Sequence, residues 1–344
     1  MTAEELKIRQ LENQHLLQPA SVRQAVGDLC GLQAQFLSNA LHAIRIRSYD
    51  FEEKEAEFLM KSWTIRGTLH VFLAEDLPLF LHQGRKNKLR PCDTLEADDK
   101  ILRERKLFFA EIILKEIEAG NASRDGLKKA CAACGMTETE EESLFDPWGG
   151  TIRALCEVGR ICHVVQEKKE FRLCPPFVPM GEDEARLELM RRYFTHYGPA
   201  TIRDAAYFFG TAQAQVKSYL SRLPVESTDC EGRTFYYIPA GEGGGANGQQ
   251  GIPACLFLAG FDPLMLGYQK TESLYLPGEY LRGIFNLGGI VMPAILLDGR
   301  VVGRWKKKGG KVELTLFAPL GRHDREKING AARELWPGLT VCLV

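Results

Sequence analysis

The chain has no run of apolar residues approaching the ~18 needed to span a bilayer. Its first ten residues, Met1 to Gln10, carry charge and no apolar core, so they read as neither a signal peptide nor an anchor. The expectation is a cytoplasmic protein with no membrane partner. A disulfide framework is also lacking. Ten cysteines are scattered over 344 residues, and Cys30, Cys156, Cys255 and Cys342 sit among apolar neighbours, which reads as reduced and buried. Cys131-Ala132-Ala133-Cys134 invites a metal reading, with Cys156 and Cys162-His163 further on. A metal knuckle normally pairs one short spacing with another. Here Cys156 and Cys162 fall in a helix and a strand that need core residues, so no metal is expected. No long heptad or sensor segment of the kind a dimeric regulator uses is present either, which favours an enzyme over a regulator. A monomer is expected. The net charge of -1 gives no excess of one sign. That leaves a nucleic-acid partner open, because placement of Lys and Arg decides such binding.

What is present is an order of elements, met three times. Ala185, Leu189, Tyr193 and Tyr197 recur every fourth residue and form one apolar helical stripe, ended by Gly198-Pro199. Thr201 can cap a short helix through Tyr207. Thr211 can cap another in which Val216, Tyr219 and Leu220 share a face. Phe235 to Ile238 follows the turn Glu231-Gly232 as a strand. Helices followed by a β-hairpin are the order of a winged helix-turn-helix.

The middle of the chain repeats it. A helix is expected from Ile101 to Ala119, a second after Ser123, an acidic loop, a third from Thr151 to Val158, then a wing of Ile161–Val165 and Phe171–Cys174. The N-terminal part offers a Ser21-capped helix, a helical stretch from Phe51 to Met60, and an alternating segment from Trp63 to Phe72 with a bend at Gly67. From Ile252 the pattern turns to β. Asp298-Gly299 and Gly309-Gly310 are hairpin turns, implying an antiparallel meander or small barrel. The predicted fold is α+β, three tandem winged helices and a C-terminal β domain. The expected boundaries are 1–97, 98–180, 181–250 and 251–344, with Gly241 to Gln250 as a linker.

Gly31-Leu32-Gln33-Ala34-Gln35 raises a question of geometry. Residues i and i+2 lie roughly 200° apart on a helix, so the two glutamines converge only on extended or turning backbone. On their own they also read as solvated surface residues. Gln213-Ala214-Gln215 is the same string, in a helix where no chemistry is expected.

Five strings occur in one order: Gly31 to Gln35, Trp63 to His70, Gly198-Pro199-Ala200-Thr201, Gly260-Phe261-Asp262-Pro263-Leu264, and Leu297 to Trp305. Together they resemble the tandem winged-helix DNA glycosylases, in the AlkZ-like branch linked to azinomycin resistance and crosslink unhooking. The resemblance covers nearly the whole chain. It implies a monofunctional glycosylase without metal or cofactor, acting on double-stranded DNA that carries alkylated purines, with Gln33 and Gln35 as the catalytic pair. Its rivals are a winged-helix regulator and a lesion sensor that binds without cleaving. One departure is Gln269-Lys270 after the Leu-Gly-Tyr string, where many relatives carry an acidic–basic pair.

The chemistry fits an amide pair. An N7-alkylated guanine is already cationic and leaves as a neutral base, so no strong acid is needed. What remains is to hold water at the anomeric carbon, which an amide can do. No lysine accompanies the motif to form a Schiff base. Arg66, Thr68 and His70 share one strand parity. Arg66 is a candidate phosphate contact, Thr68 shares its face, and His70 either contacts DNA, buttresses the glutamine loop or is a structural histidine. Arg304, Lys306, Lys307 and Lys308 form a basic hairpin suited to DNA phosphates or a minor groove, or simply a solvated turn. The run Arg85 to Arg90 is a further phosphate candidate or a charged connection.

Overall fold

A computed structural model of the chain describes residues 1–52, 58–85, 89–239 and 251–344. The expected Gly241–Gln250 linker and the centre of the Arg85–Arg90 run lie outside the described residues. The fold is α+β and divides into two compact units. One comprises Met1–Gln33, Ser38–Glu53 and Leu187–Val344, the other Ala34–Leu37 and Lys54–Arg186.

In the second unit, helices Arg103–Glu118, Arg124–Ala133 and Gly150–Glu157 surround a core that includes Phe109, Ile113, Leu127, Leu155 and Phe171. Ser123 caps its helix by accepting from the Gly126 N–H at 3.1 Å. A further helix, Glu138–Leu144, stands where the acidic composition suggests a loop. Thr137 and Glu140 close a capping box there. Arg105 grips Glu140 through bonds of 2.7 and 2.9 Å.

The sheet of this unit joins two hairpins. Leu59–Trp63 pairs antiparallel with Leu69–Leu73, and through Lys61 opposite His163 it meets Ile161–His163, which pairs with Phe171–Leu173. The helix expected over Phe51–Met60 is replaced at its end by a strand, and residues 53–57 lie outside the described residues. All five residues of Leu59–Trp63 are buried, so the segment shows no alternation to betray it.

In the first unit, Ala3–Asn13 starts on a Thr2–Glu5 capping box and Val22–Asp28 starts on Ser21. Helix Glu182–His196, of which the part from Leu187 on belongs to this unit, and helices Ile202–Phe209 and Gln213–Leu220 lead into the hairpin Glu226–Cys230/Arg233–Tyr237, in the predicted order. Thr201 caps with Asp204 as its box partner, and Gly210 ends that helix in the left-handed region at φ 63°. The C-terminal sheet runs Cys255–Phe257, Ala294–Leu297, Arg300–Lys308, Lys311–Leu316, Thr340–Leu343 in spatial order. It is an open meander rather than a barrel. Its last strand is parallel to its neighbour and is reached through the helix Arg322–Leu335. Both hairpin turns have two residues of positive φ, at Asp298 (44°) and Gly299 (73°) and at Gly309 (55°) and Gly310 (77°). That matches the twist of the flanking strands.

Candidate active site

The glutamine motif occupies a change of backbone state. After the helix Val22–Asp28, Cys30 and Gly31 both take left-handed φ, 57° and 75°. Leu32–Gln33 is extended, residues 35 and 36 bend, and the helix Leu37–Arg45 begins. The Ala34 N–H, between the glutamines, donates to the Leu69 carbonyl at 2.8 Å. Gln33 is buried and Gln35 exposed. The backbone is extended at Gln33 and bends at Gln35, so the pair does not lie on a helix. Gln213 and Gln215 sit instead on the helix Gln213–Leu220.

The hairpin supplying Leu69 carries the Arg66, Thr68 and His70 candidates. Arg66 lies in the turn Ile65–Gly67 with φ 59°, followed by Gly67 at 67°. The turn breaks the strand parity expected between Arg66 and His70. Thr68 Oγ1 donates to the Ile65 carbonyl at 3.1 Å, closing the turn. His70 is buried, with Nδ1 3.0 Å from the Thr68 carbonyl. Burial, reinforced by Arg66, pushes its pKa down to about 3, so the ring is neutral. Arg85 is also enclosed: it donates to the Thr64 carbonyl at 3.0 Å and pairs with Glu157 at 2.8 Å. Arg90 pairs with Asp93 and Asp146.

In the first unit, the helix entered from Gln35 lines a cleft of about 490 Å³ with Ser38, Asn39, His42 and Arg45. Their spacing places them on one helical face. Trp305 and Trp336 complete it, 4.7 Å apart between ring centroids, with His42 at 4.8 Å from the first and stacked at 17° on the second. The His42 ring is held by the Phe257 carbonyl at 2.8 Å, and burial lowers its pKa. The sequence reading missed His42 and Arg45. The signal was present in the apolar–polar division of Leu37–Arg45, but Trp305 and Trp336 lie 263 and 294 residues beyond His42 in sequence.

Beyond Arg45, the fully buried Arg47 reaches Asp262 in the Gly260–Leu264 string. Gly260 lets the backbone pass close to Asn39, since a Cβ there would meet Asn39 Nδ2 at 2.6 Å. Gln269 and Lys270 have local partners too. The Gln269 N–H donates to Asp204 at 2.8 Å, and the Lys270 ammonium lies over the Phe285 ring at 5.8 Å.

The basic hairpin is solvent-facing. Lys306, Lys307 and Lys308 are exposed, Arg304 is half-buried, and Trp305 between them is buried, donating to the Leu258 carbonyl at 2.8 Å. Lys306 and Lys307 reach the rim of the cleft. Lys306 pairs with Glu313 at 2.8 Å, which offsets part of the positive charge. All ten cysteines are free thiols. Among the described residues, the one group of three potential metal ligands contains no cysteine: it is His15, Asp28 and His196. No helix among those residues is long and apolar enough to cross a membrane.

Residues 26–336 match the family described as DNA glycosylase AlkZ-like. The chain is similar to the interstrand DNA cross-link repair glycosylase of Streptomyces sahachiroi, 27% identical over 322 residues, covering 86% of this chain and 85% of that protein. Its fold matches the solved structure of the Streptomyces sahachiroi DNA glycosylase AlkZ with a TM-score of 0.75 and 22% identity, over 100% of both chains.

Proposed function

The chain belongs to the AlkZ-like DNA glycosylase family, and from that premise we propose that Gln33 and Gln35 hydrolyse the glycosidic bond of N7-alkylated purines in double-stranded DNA. The observation that carries this reading is the fixed backbone between them: an extended Gln33, a bend at Gln35, and the Ala34 N–H bound to Leu69 at 2.8 Å. The amides hold a water against the anomeric carbon. Its oxygen bonds to that carbon as the carbon–nitrogen bond breaks. The alkylated base takes the bonding pair and leaves neutral, and the water's proton passes to solvent. An amide is too weak a base to drive loss of an uncharged base, so uracil and undamaged purines are not substrates.

In this reading His70, being buried and neutral, buttresses the strand that holds Ala34. Arg66 and Thr68 form the turn beside it and meet the DNA backbone. Arg304, Lys306, Lys307 and Lys308 contact phosphates. The repeated order of helices and hairpins supports three tandem winged helices followed by the β domain. The enzyme works as a cytoplasmic monomer. The similarity to a cross-link repair glycosylase supports bulky adducts and interstrand crosslinks as natural lesions.

Three duplexes test the reading, carrying N7-methylguanine, uracil or an N7-linked interstrand crosslink. Release of the methylated base and unhooking of the crosslink, with uracil untouched, is expected. Excision of uracil, or lesion binding without turnover, would overturn it.

A further inference from the structure

Three titratable side chains meet where helices of the first unit end. Helix Val22–Asp28 ends on Asp28, helix Glu182–His196 ends on His196, and His15 follows helix Ala3–Asn13 by two residues. His15 Nε2 lies 2.8 Å from Asp28 Oδ2, and His196 Nε2 lies 3.3 Å from Asp28 Oδ1. All three donor atoms fall within 4.8 Å of one another. The glutamine chemistry uses none of them.

His196 Nε2 faces the same Asp28 carboxylate that His15 meets, one histidine to each oxygen. His15 takes a left-handed φ of 58°, a costly conformation for a residue with a Cβ. The nearby Arg191 is tied to Glu188 by bonds of 2.6 and 2.7 Å.

We propose that His15, Asp28 and His196 form a structural divalent-metal site that favours Zn²⁺. Two imidazoles and one carboxylate suit zinc, with water in the fourth position. Zinc–ligand bonds of about 2.0–2.1 Å place neighbouring donors about 3.3 Å apart in a tetrahedron. His196 and Asp28 already stand at 3.3 Å, His15 and Asp28 at 2.8 Å would open slightly, and all three donors lie within 4.8 Å of one another. The ion clamps the root of the glutamine strand. Asp28 precedes Gln33 by five residues, and Tyr197, next to His196, donates to the Leu29 carbonyl at 3.0 Å. The sequence reading sought a metal only among the cysteines.

Titration of the metal-free, full-length protein with Co²⁺ tests this, followed by displacement with Zn²⁺ and thermal unfolding. One equivalent should bind, with d–d absorption and no thiolate-to-cobalt band, which separates this site from the ten cysteines. The melting temperature should rise until one equivalent is present. H15Q and H196Q should each weaken binding by about 10- to 100-fold or more, while their metal-free forms unfold like the metal-free parent. Should H196Q fail to fold, H15Q carries the comparison, and the parent's spectrum stands without either. Absence of a one-equivalent endpoint, a thiolate-type spectrum, or unchanged binding in H15Q would overturn the proposal.

Discussion

Arg47 and Asp262 face each other as a fully buried, two-pronged ion pair, with Nη2–Oδ1 at 2.6 Å and Nη1–Oδ2 at 3.1 Å. Asp262 also accepts from the Ala259 N–H at 3.1 Å and the Leu264 N–H at 2.9 Å. The pair therefore ties the end of the cleft helix to the turn that carries the Gly260–Leu264 string. Removing one partner strands a buried charge. D262N should lower the unfolding free energy by about 3–5 kcal/mol in urea denaturation. By contrast E313Q, which breaks the surface Lys306–Glu313 pair, should cost far less, because solvent screens that pair. Comparable losses would contradict the assignment.

Two buried histidines predict acid lability. His70 and His163 both have pKa values pushed down to about 3, in each case chiefly by burial. The folded chain binds fewer protons at these rings than the unfolded chain between about pH 6.5 and 3. Stability therefore rises with pH across that window and is lost on acidification. Each ring contributes a slope approaching roughly 1.4 kcal/mol per pH unit. His163 Nε2 is buried without a hydrogen-bond partner, so H163F should flatten the slope without a large cost at pH 8. An unchanged pH profile for H163F would argue against this origin.

Two glycines predict opposite signs. A Cβ on Gly198 would sit 2.2 Å from the Phe194 carbonyl oxygen and 2.8 Å from Tyr237 Cβ, neither free to move. G198A should destabilise by about 1–3 kcal/mol. Gly330 lies within helix Arg322–Leu335 with open space around it, so G330A should stabilise by roughly 0.5–1 kcal/mol. Thermal unfolding of the two variants gives both signs directly.

The legible parts of the fold share a local cause. Ser21, Ser123 and Thr201 mark helix starts because a side-chain oxygen meets an N–H three residues on. Asp298-Gly299 and Gly309-Gly310 mark hairpins because few residues accept positive φ twice in succession. The strand Leu59–Trp63 hid because it is buried throughout. Helix Arg322–Leu335 hid because Ile328 and Ala332 are its only buried residues. Lys61 opposite His163 joins two hairpins about 100 residues apart, and no local pattern encodes that pairing. The glutamines were legible as a geometric question, and the catalytic role proposed for them rests on the family resemblance. The cleft was not legible, because His42 meets Trp305 and Trp336 only through folding.

The basic hairpin predicts a salt effect. Each phosphate contact removed should reduce the slope of log K against log salt by about 0.9. Replacing Lys306, Lys307 and Lys308 with Ala should lower the slope by roughly 2. The full three-residue value is not reached, because Lys306 is already engaged by Glu313 at 2.8 Å. Binding of an undamaged duplex across a salt series measures this, and an unchanged slope would remove the hairpin from the interface.

Single-turnover release of N7-methylguanine from alkylated duplex DNA, compared between the parent and Q35A, tests the central claim most directly. Gln35 is exposed and lies outside the buried core, so the variant should fold and bind DNA like the parent. Its rate should fall by about 10²-fold, the effect of a lost water-positioning contact. Equal rates in the two proteins would contradict the account.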